Sequence, residues 1–158
     1  MKIDLNSAGW HLTGVWPWAP VLGKSLETGG ELRGLTPRIK AAVPGSVYRD
    51  LQEAGLIEDP YVRMNSLNCE WVESKWWNYD TQFPAPPVRA GERVFLCFDG
   101  LDYRVRIYLN QTLLCIHEGM FLPLELEITD QRPLRGVSPR DGAGPDLSGA
   151  HTEGPLRL

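Results

Sequence analysis

Period-two alternation of apolar and polar residues dominates the chain and predicts strands. In residues 103–109, Tyr103, Val105, Ile107 and Leu109 fall on one face, with Arg104, Arg106 and Tyr108 on the other. Residues 93–98 place Val94, Leu96 and Phe98 together. Phe95 and Cys97 make the opposite face apolar as well, as expected of a central strand. Leu124, Leu126 and Ile128 alternate with Glu125 and Glu127, and the aromatic-rich run 76–83 also reads as a strand. Weaker strands are expected near 10–15, 37–43 and 112–117. Turn residues separate them, at Gly91-Glu92, Asp99-Gly100, Asn110-Gln111 and Gly119. One short helix interrupts the series. Ser46, after Pro44-Gly45, has the hydroxyl of a good N-cap; Val47, Leu51 and Ala54 then share a helical face, and Gly55 supplies the stop. Many short strands with a single helix predict an all-β fold, an antiparallel β-sandwich of jelly-roll type.

The pattern fades at the C-terminal end. All 15 aromatic residues lie between Trp10 and Phe121. Residues 131–158 contain 5 Gly, 4 Pro and 4 Arg without periodicity of either kind, which predicts a disordered tail behind a body of residues 1–130. Such a tail is either a linker or an aberrant, out-of-frame replacement for the natural continuation. A sandwich short of strands leaves unpaired edges and an open apolar face, so self-association through those edges is expected.

Composition narrows the function. The chain's 158 residues cannot hold a (β/α)₈ barrel of about 250 residues. A net charge of −4 argues against a nucleic-acid surface, and no apolar run approaches the roughly 18 residues of a membrane span. The opening MKIDLNSAGW lacks the apolar stretch of a signal peptide. Cys69, Cys97 and Cys115 form neither an even set nor a CxxC, so the expected compartment is the cytoplasm. Cys97 and Cys115, in strand-like segments, read as buried small hydrophobes.

Catalytic and metal signatures are not found. His11, His117 and His151 are far apart, and GxSxG, GxGxxG and GxxxxGK do not occur, so no metal or cofactor is expected. Asp99 and Asp102 in FDGLD, at a strand end, read as turn residues bonding local amides. Glu70 and Glu73 read as solvated. No residue is assigned a catalytic role. The loop-like stretch Tyr61-Val62-Arg63-Met64-Asn65-Ser66, followed by Trp71, does combine amide and aromatic groups, as sugar contact requires. Asn65 and Trp71 are therefore the candidate sugar-contact residues; the competing reading has Trp71, Trp76 and Trp77 filling the core. At Asn110-Gln111 a type I′ hairpin turn would need positive φ at both positions, which Gln tolerates poorly.

Three blocks, in order and spacing, resemble one family. They are Ala42-Val43-Pro44-Gly45-Ser46-Val47-Tyr48-Arg49-Asp50-Leu51 running on to Asp59-Pro60-Tyr61; Glu70-Trp71-Val72-Glu73-Ser74-Lys75-Trp76-Trp77-Asn78-Tyr79; and Phe98-Asp99-Gly100-Leu101-Asp102 with Ile107-Tyr108-Leu109-Asn110 and Met120-Phe121. Together they are similar to the N-terminal sugar-binding domain, a galactose-binding-domain-like jelly roll, of glycoside hydrolase family 2, in its β-mannosidase branch, over about residues 8–130. The resemblance implies a jelly roll packed on a catalytic barrel in a longer enzyme that releases terminal β-mannose with retention, through two glutamates on the barrel. It implies that this chain supports the absent barrel, borders its sugar pocket and is inactive alone, with a β-mannoside or related carbohydrate as the ligand of the parent enzyme. Asn65 matches an Asn that lies towards the active-site mouth, and Ser66 stands where the family usually has Glu. The alternatives are an autonomous carbohydrate-binding module, or a gene fragment without function.

Overall fold

The structure, a computed structural model, describes residues 2–28, 35–84, 87–131, 146–150 and 156–157. Its main layer is a six-stranded antiparallel sheet. In chain order the strands are β1 (His11–Val15), β2 (Ile39–Lys40), β3 (Trp76–Gln82), β4 (Phe95–Phe98), β5 (Gly100–Leu101), β6 (Arg104–Leu109), β7 (Thr112–Glu118), β8 (Leu124–Glu127), β9 (Asp146–Ala150) and β10 (Leu156–Arg157). The sheet runs β2-β1-β3-β9-β6-β7, while β4 pairs with β8 and β5 with β10.

Side-chain alternation explains the layering. On β1 and β3, the cross-strand pairs Leu12–Tyr79 and Gly14–Trp77 face inward, and Thr13–Asn78 and Val15–Trp76 face outward. Leu12, Trp77 and Tyr79 join Val105, Ile107 and Leu109 of β6 in one buried cluster. Leu96, Phe98 and Ile128, from the β4–β8 side, close it, and Leu124 and Leu126 pack against its margin. Gly14 is required by this packing: a Cβ there would stand 2.8 Å from a ring carbon of Trp77. The antiparallel sandwich expected from the alternation is the fold observed.

The helix predicted after Pro44-Gly45 is α3 (Val47–Glu53), capped by Ser46, whose Oγ accepts from the Arg49 amide at 3.4 Å. Val47 and Leu51 reach the core, Ala54 is exposed, and Gly55 takes φ +69° at the stop. The structure adds three four-residue helices: α1 (Ala19–Leu22), α2 (Ser25–Thr28) and α4 (Asn65–Asn68). One helical turn is too short to display a 3.6-residue period, so the hydrophobic pattern did not announce them. Residues 16–28 lie over the outer face of the sheet, where Leu26 buries Tyr108 and the Tyr108 hydroxyl donates to Glu27 Oε1 at 3.4 Å.

Other expectations need correction. Phe95 and Cys97 are exposed, because β4 belongs to a two-stranded ribbon whose outer side carries no further layer among the described residues. Tyr103, expected inside, is exposed, and Tyr108 is buried on the opposite face. Of residues 131–158, read as a disordered tail, the structure describes Gln131 and two short strands: β9, which lies between β3 and β6, and β10, which pairs with β5. The rest of that stretch beyond Gln131, including His151, lies outside the described residues. No helix among the described residues is long and apolar enough to cross a membrane.

Candidate functional site

The segment carrying both sugar-contact candidates is built between α3 and β3. After Gly55 the chain turns on the Leu56 amide, which donates to Leu51 O at 2.9 Å. Asp59 then organises the loop. Its Oδ1 accepts from the Tyr61 amide at 2.9 Å, and its backbone oxygen accepts from Val62 N at 3.2 Å and from Asn65 Nδ2 at 3.0 Å. Asn65 thus opens α4 with one amide N–H holding the loop closed. Local bonds of this kind are what Asp and Asn offer in turns.

Past α4, a turn of 3₁₀ helix (Glu70–Val72) returns the chain to the core. Cys69 and Val72 are buried, and the half-buried Trp71 lies 6.0 Å from Trp77, centroid to centroid, with the rings inclined at 49°. Trp77 Nε1 donates to Val72 O at 3.0 Å, so the inner indole fastens the turn that carries the outer one. The Tyr48 hydroxyl donates to Glu73 Oε1 at 3.2 Å, giving that carboxylate a partner the sequence did not reveal. Burial and then the charge of Glu73 push the Tyr48 pKa up to about 12, so the phenol stays protonated.

This frame turns an apolar surface outward. Tyr61 is 97% exposed, and Val62, Met64 and Leu67 are exposed beside it in the sequence. Asn65 and Trp71 therefore occupy one pinned loop, but no hydrogen bond or ring contact joins them among the described residues. The arrangement can offer a carboxamide and an indole edge to a hydroxylated ligand, and apolar area to a protein surface. It holds no pair of converging acids.

The remaining sequence candidates scatter. Asp99 is exposed at the junction of β4 and β5, and Asp102, half-buried, follows β5. Glu70 is exposed. His117 Nε2 lies 2.8 Å from Gly119 O, at the end of β7. Among the described residues no three of His, Cys, Asp and Glu gather as metal ligands would. Cys97 is exposed rather than buried, and Cys115 is half-buried.

A buried polar pair went unnoticed in the sequence. Asp50, on the inner side of α3, accepts from the Ala42 amide at 3.0 Å, and its other oxygen and the Tyr79 hydroxyl are buried without hydrogen-bond partners among the described residues. Burial raises the pKa of both groups, and the Asp50 charge raises that of Tyr79 further. Tyr at an inward strand position looks the same in sequence whether or not an acid faces it.

Comparison with known proteins places these features. Residues 24–135, well over half of the chain, match the family described as glycosyl hydrolase 2 galactose-binding domain-like. The sequence is 44% identical over 86 residues to Beta-mannosidase B of Thermothelomyces thermophilus, covering 54% of this chain and 10% of that one. It is 37% identical over 94 residues to Beta-mannosidase B of Emericella nidulans, covering 60% and 11%. The crystal structure of a beta-D-mannosidase from Dictyoglomus thermophilum superposes with a TM-score of 0.70 at 25% identity, over 97% of this chain and 16% of that one. The chain thus spans about a tenth of the length of the curated relatives it matches. It belongs to the glycosyl hydrolase 2 family, as an N-terminal galactose-binding-like domain similar to those of beta-mannosidases.

Proposed function

We propose that this domain is the non-catalytic N-terminal part of a β-mannosidase-like hydrolase, supporting its catalytic barrel and bordering its sugar pocket with the loop of Asn65 and Trp71. The observation that carries this reading is the 44% identity to a Beta-mannosidase B, since it joins the chain to that activity and not only to the fold. The exposed apolar row of Tyr61, Val62, Met64 and Leu67 supports it, as area that a neighbouring domain would cover. A retaining glycosidase needs two carboxyl groups about 5–5.5 Å apart. In this reading the barrel supplies that pair, and the domain contributes positioning of the terminal β-D-mannose. Three free thiols fit a reducing, cytoplasmic setting.

The test is a graft. Placed in Thermothelomyces Beta-mannosidase B in exchange for the matching segment, this domain should sustain hydrolysis of an aryl β-mannoside, while the purified chain alone turns over none. Asn65→Ala in the graft should raise KM about tenfold, the loss of one buried polar contact. Turnover by the isolated chain would overturn the reading, and so would a graft whose kinetics ignore both Asn65→Ala and Trp71→Ala.

A further inference from the structure

The six-stranded sheet has a slot that the body of the domain leaves open. β3 and β6, both rich in buried side chains, stand on either side of β9 and do not pair with each other. The strand that completes the sheet comes late in the chain. β9 meets β3 along five residues, from Asn78↔Ala150 to Gln82↔Asp146, and β6 along four, from Arg106↔Ala150 to Leu109↔Leu147. β10 follows, with Leu156 and Arg157 paired to Leu101 and Gly100 of β5. We propose that β9 and β10 form an arm that a second copy of the chain can supply, so that two copies exchange arms and associate through the slot between β3 and β6.

The occupant is visible in the slot. Asp146-Leu147-Ser148-Gly149-Ala150 carries one large apolar residue, whereas the flanking strands bring Trp77, Tyr79, Ile107 and Leu109 to the core. The arm is therefore held chiefly by main-chain ladders on both of its edges, and an identical segment from another copy makes the same bonds in the same register. The slot also selects by size. Across the sheet, Ser148 stands between Asp80 and Tyr108, Gly149 between Tyr79 and Ile107, and Ala150 between Asn78 and Arg106. Three small residues in succession fit between three pairs of larger ones, which few strands other than β9 itself would match. Withdrawal of an arm bares two strand edges, the kind of surface that takes up a strand from another chain.

The connection decides which copy supplies the arm. Residues 132–145, 14 in number, lie between the body and β9, a length that reaches at most about 50 Å when extended. β6 and β7, by contrast, share the two-residue turn Asn110-Gln111 and cannot part. A segment tethered by a flexible linker has an effective concentration on the order of millimolar for its own site. Exchange creates no new contact, so it sets in by mass action as the protein approaches that concentration. The inference uses the sheet alone and does not rest on the proposed sugar pocket.

Disulfide trapping between singly altered full-length chains tests it. Ala150→Cys in one chain is mixed with Arg106→Cys in another and, as a second pair, with Asn78→Cys. Opposed strand positions lie about 4.5–5.5 Å apart between Cα atoms, within reach of a disulfide. After equilibration at about 0.5 mM and mild oxidation, each pair should give a covalent dimer holding one chain of each kind. Its yield should stand at least tenfold above that of the unaltered chain, with its three native thiols, and fall about fivefold on tenfold dilution before oxidation. The double variant Arg106→Cys/Ala150→Cys should close its bond within one chain at low concentration. The proposal is overturned if the double variant closes while both mixed pairs stay at the level of the unaltered chain. It is equally overturned by a dimer in sedimentation without mixed disulfide, since association then uses another edge, such as β7 or β8. A double variant that does not close removes the pairing on which the slot rests, and the proposal with it. None of these results bears on the graft, whose activity reports on the Asn65 loop alone.

Discussion

The two faces of the six-stranded sheet are covered in different ways. Inward, Leu12, Trp77, Tyr79, Val105, Ile107 and Leu109 meet the β4–β8 ribbon and α3 in one continuous apolar cluster. Outward, the cover among the described residues is the segment 16–28 with its short helices α1 and α2, and it touches the sheet at separate points: Leu26 on Tyr108, Trp18 on Trp76, and Trp16 under Lys75. Nearby, Arg38 grips the Asp80 carboxylate at the end of β3. The inner face stabilises the fold through one continuous area removed from water, while the outer face buries Val15, Trp76, Asn78 and Tyr108 beneath a cover whose own Trp16 and Trp18 stay half-exposed.

The largest test of this contrast exchanges tryptophans. Trp77→Ala removes a buried ring and the donor to Val72 O, and should cost about 3–5 kcal/mol in urea unfolding. Trp18→Ala removes a half-exposed ring held at positive φ, and should stay within about 1 kcal/mol. Comparable losses would show that the 16–28 segment is as much a part of the core as β3. Gly14→Ala comes next. Its new methyl would press on Trp77 at 2.8 Å and approach Thr36 Cγ2 at 3.1 Å, so a loss of about 1–3 kcal/mol is expected, visible as a lower urea midpoint.

The inner side of the sheet also holds a buried carboxylate, and pH probes it. Burial raises the Asp50 pKa, against the pull of the Ala42 amide. Its folded pKa then lies above the unfolded value of about 3.9. The stability linked to its proton is therefore fully present below that value and lost as pH rises through the folded pKa. Glu127 runs the other way. Hydrogen bonds from Arg93 and Thr129 hold it down at about 2, so its contribution is present above the unfolded pKa and lost as pH falls towards 2. Glu127 is exposed, which keeps its effect small. Asp50→Asn retains an acceptor for Ala42 and adds an N–H for the Tyr79 hydroxyl. It should stabilise by about 1 kcal/mol at neutral pH and lose that advantage in acid. Thermal melts from pH 3 to 8 would show it, and parallel profiles for the two proteins would mean that the carboxylate is not penalised.

The same contrast governs what could be read in advance. On β6, Val105, Ile107 and Leu109 repeat every second residue because one flat layer covers them, and period two is the imprint of that layer. Ser46 was legible because a cap acts within three residues. The outer cover was not, since Tyr108 and Glu27 stand 81 residues apart and no local pattern links them. β9 offers only Leu147 as a large apolar residue, and its place comes from the free edges of β3 and β6 on either side. For the candidate site, turn-forming residues located the loop of Asn65 and Trp71, but its clasp on Asp59 O and its brace on Trp77 depend on folding. Exposed Trp16 and Trp18 look, in composition, like any core tryptophan.

The hairpin joining β6 to β7 lies at the rim of both faces, and there sequence and structure disagree most usefully. Asn110 and Gln111 take φ +48° and +67°, the left-handed pair a type I′ turn demands. Asn accepts this region readily, whereas Gln has no local hydrogen bond to offset the crowding of its Cβ. The strands enforce the turn regardless, because Leu109 pairs with Thr112 and Tyr108 with Leu113 across it. Gln111→Gly removes the Cβ without touching either face, at the expense of greater freedom in the unfolded chain. Relief of strain should exceed that loss and stabilise by about 0.5–1 kcal/mol, raising the melting temperature by a few degrees. If the variant melts lower, the turn opens to another geometry, and the inner face alone holds β7 in register.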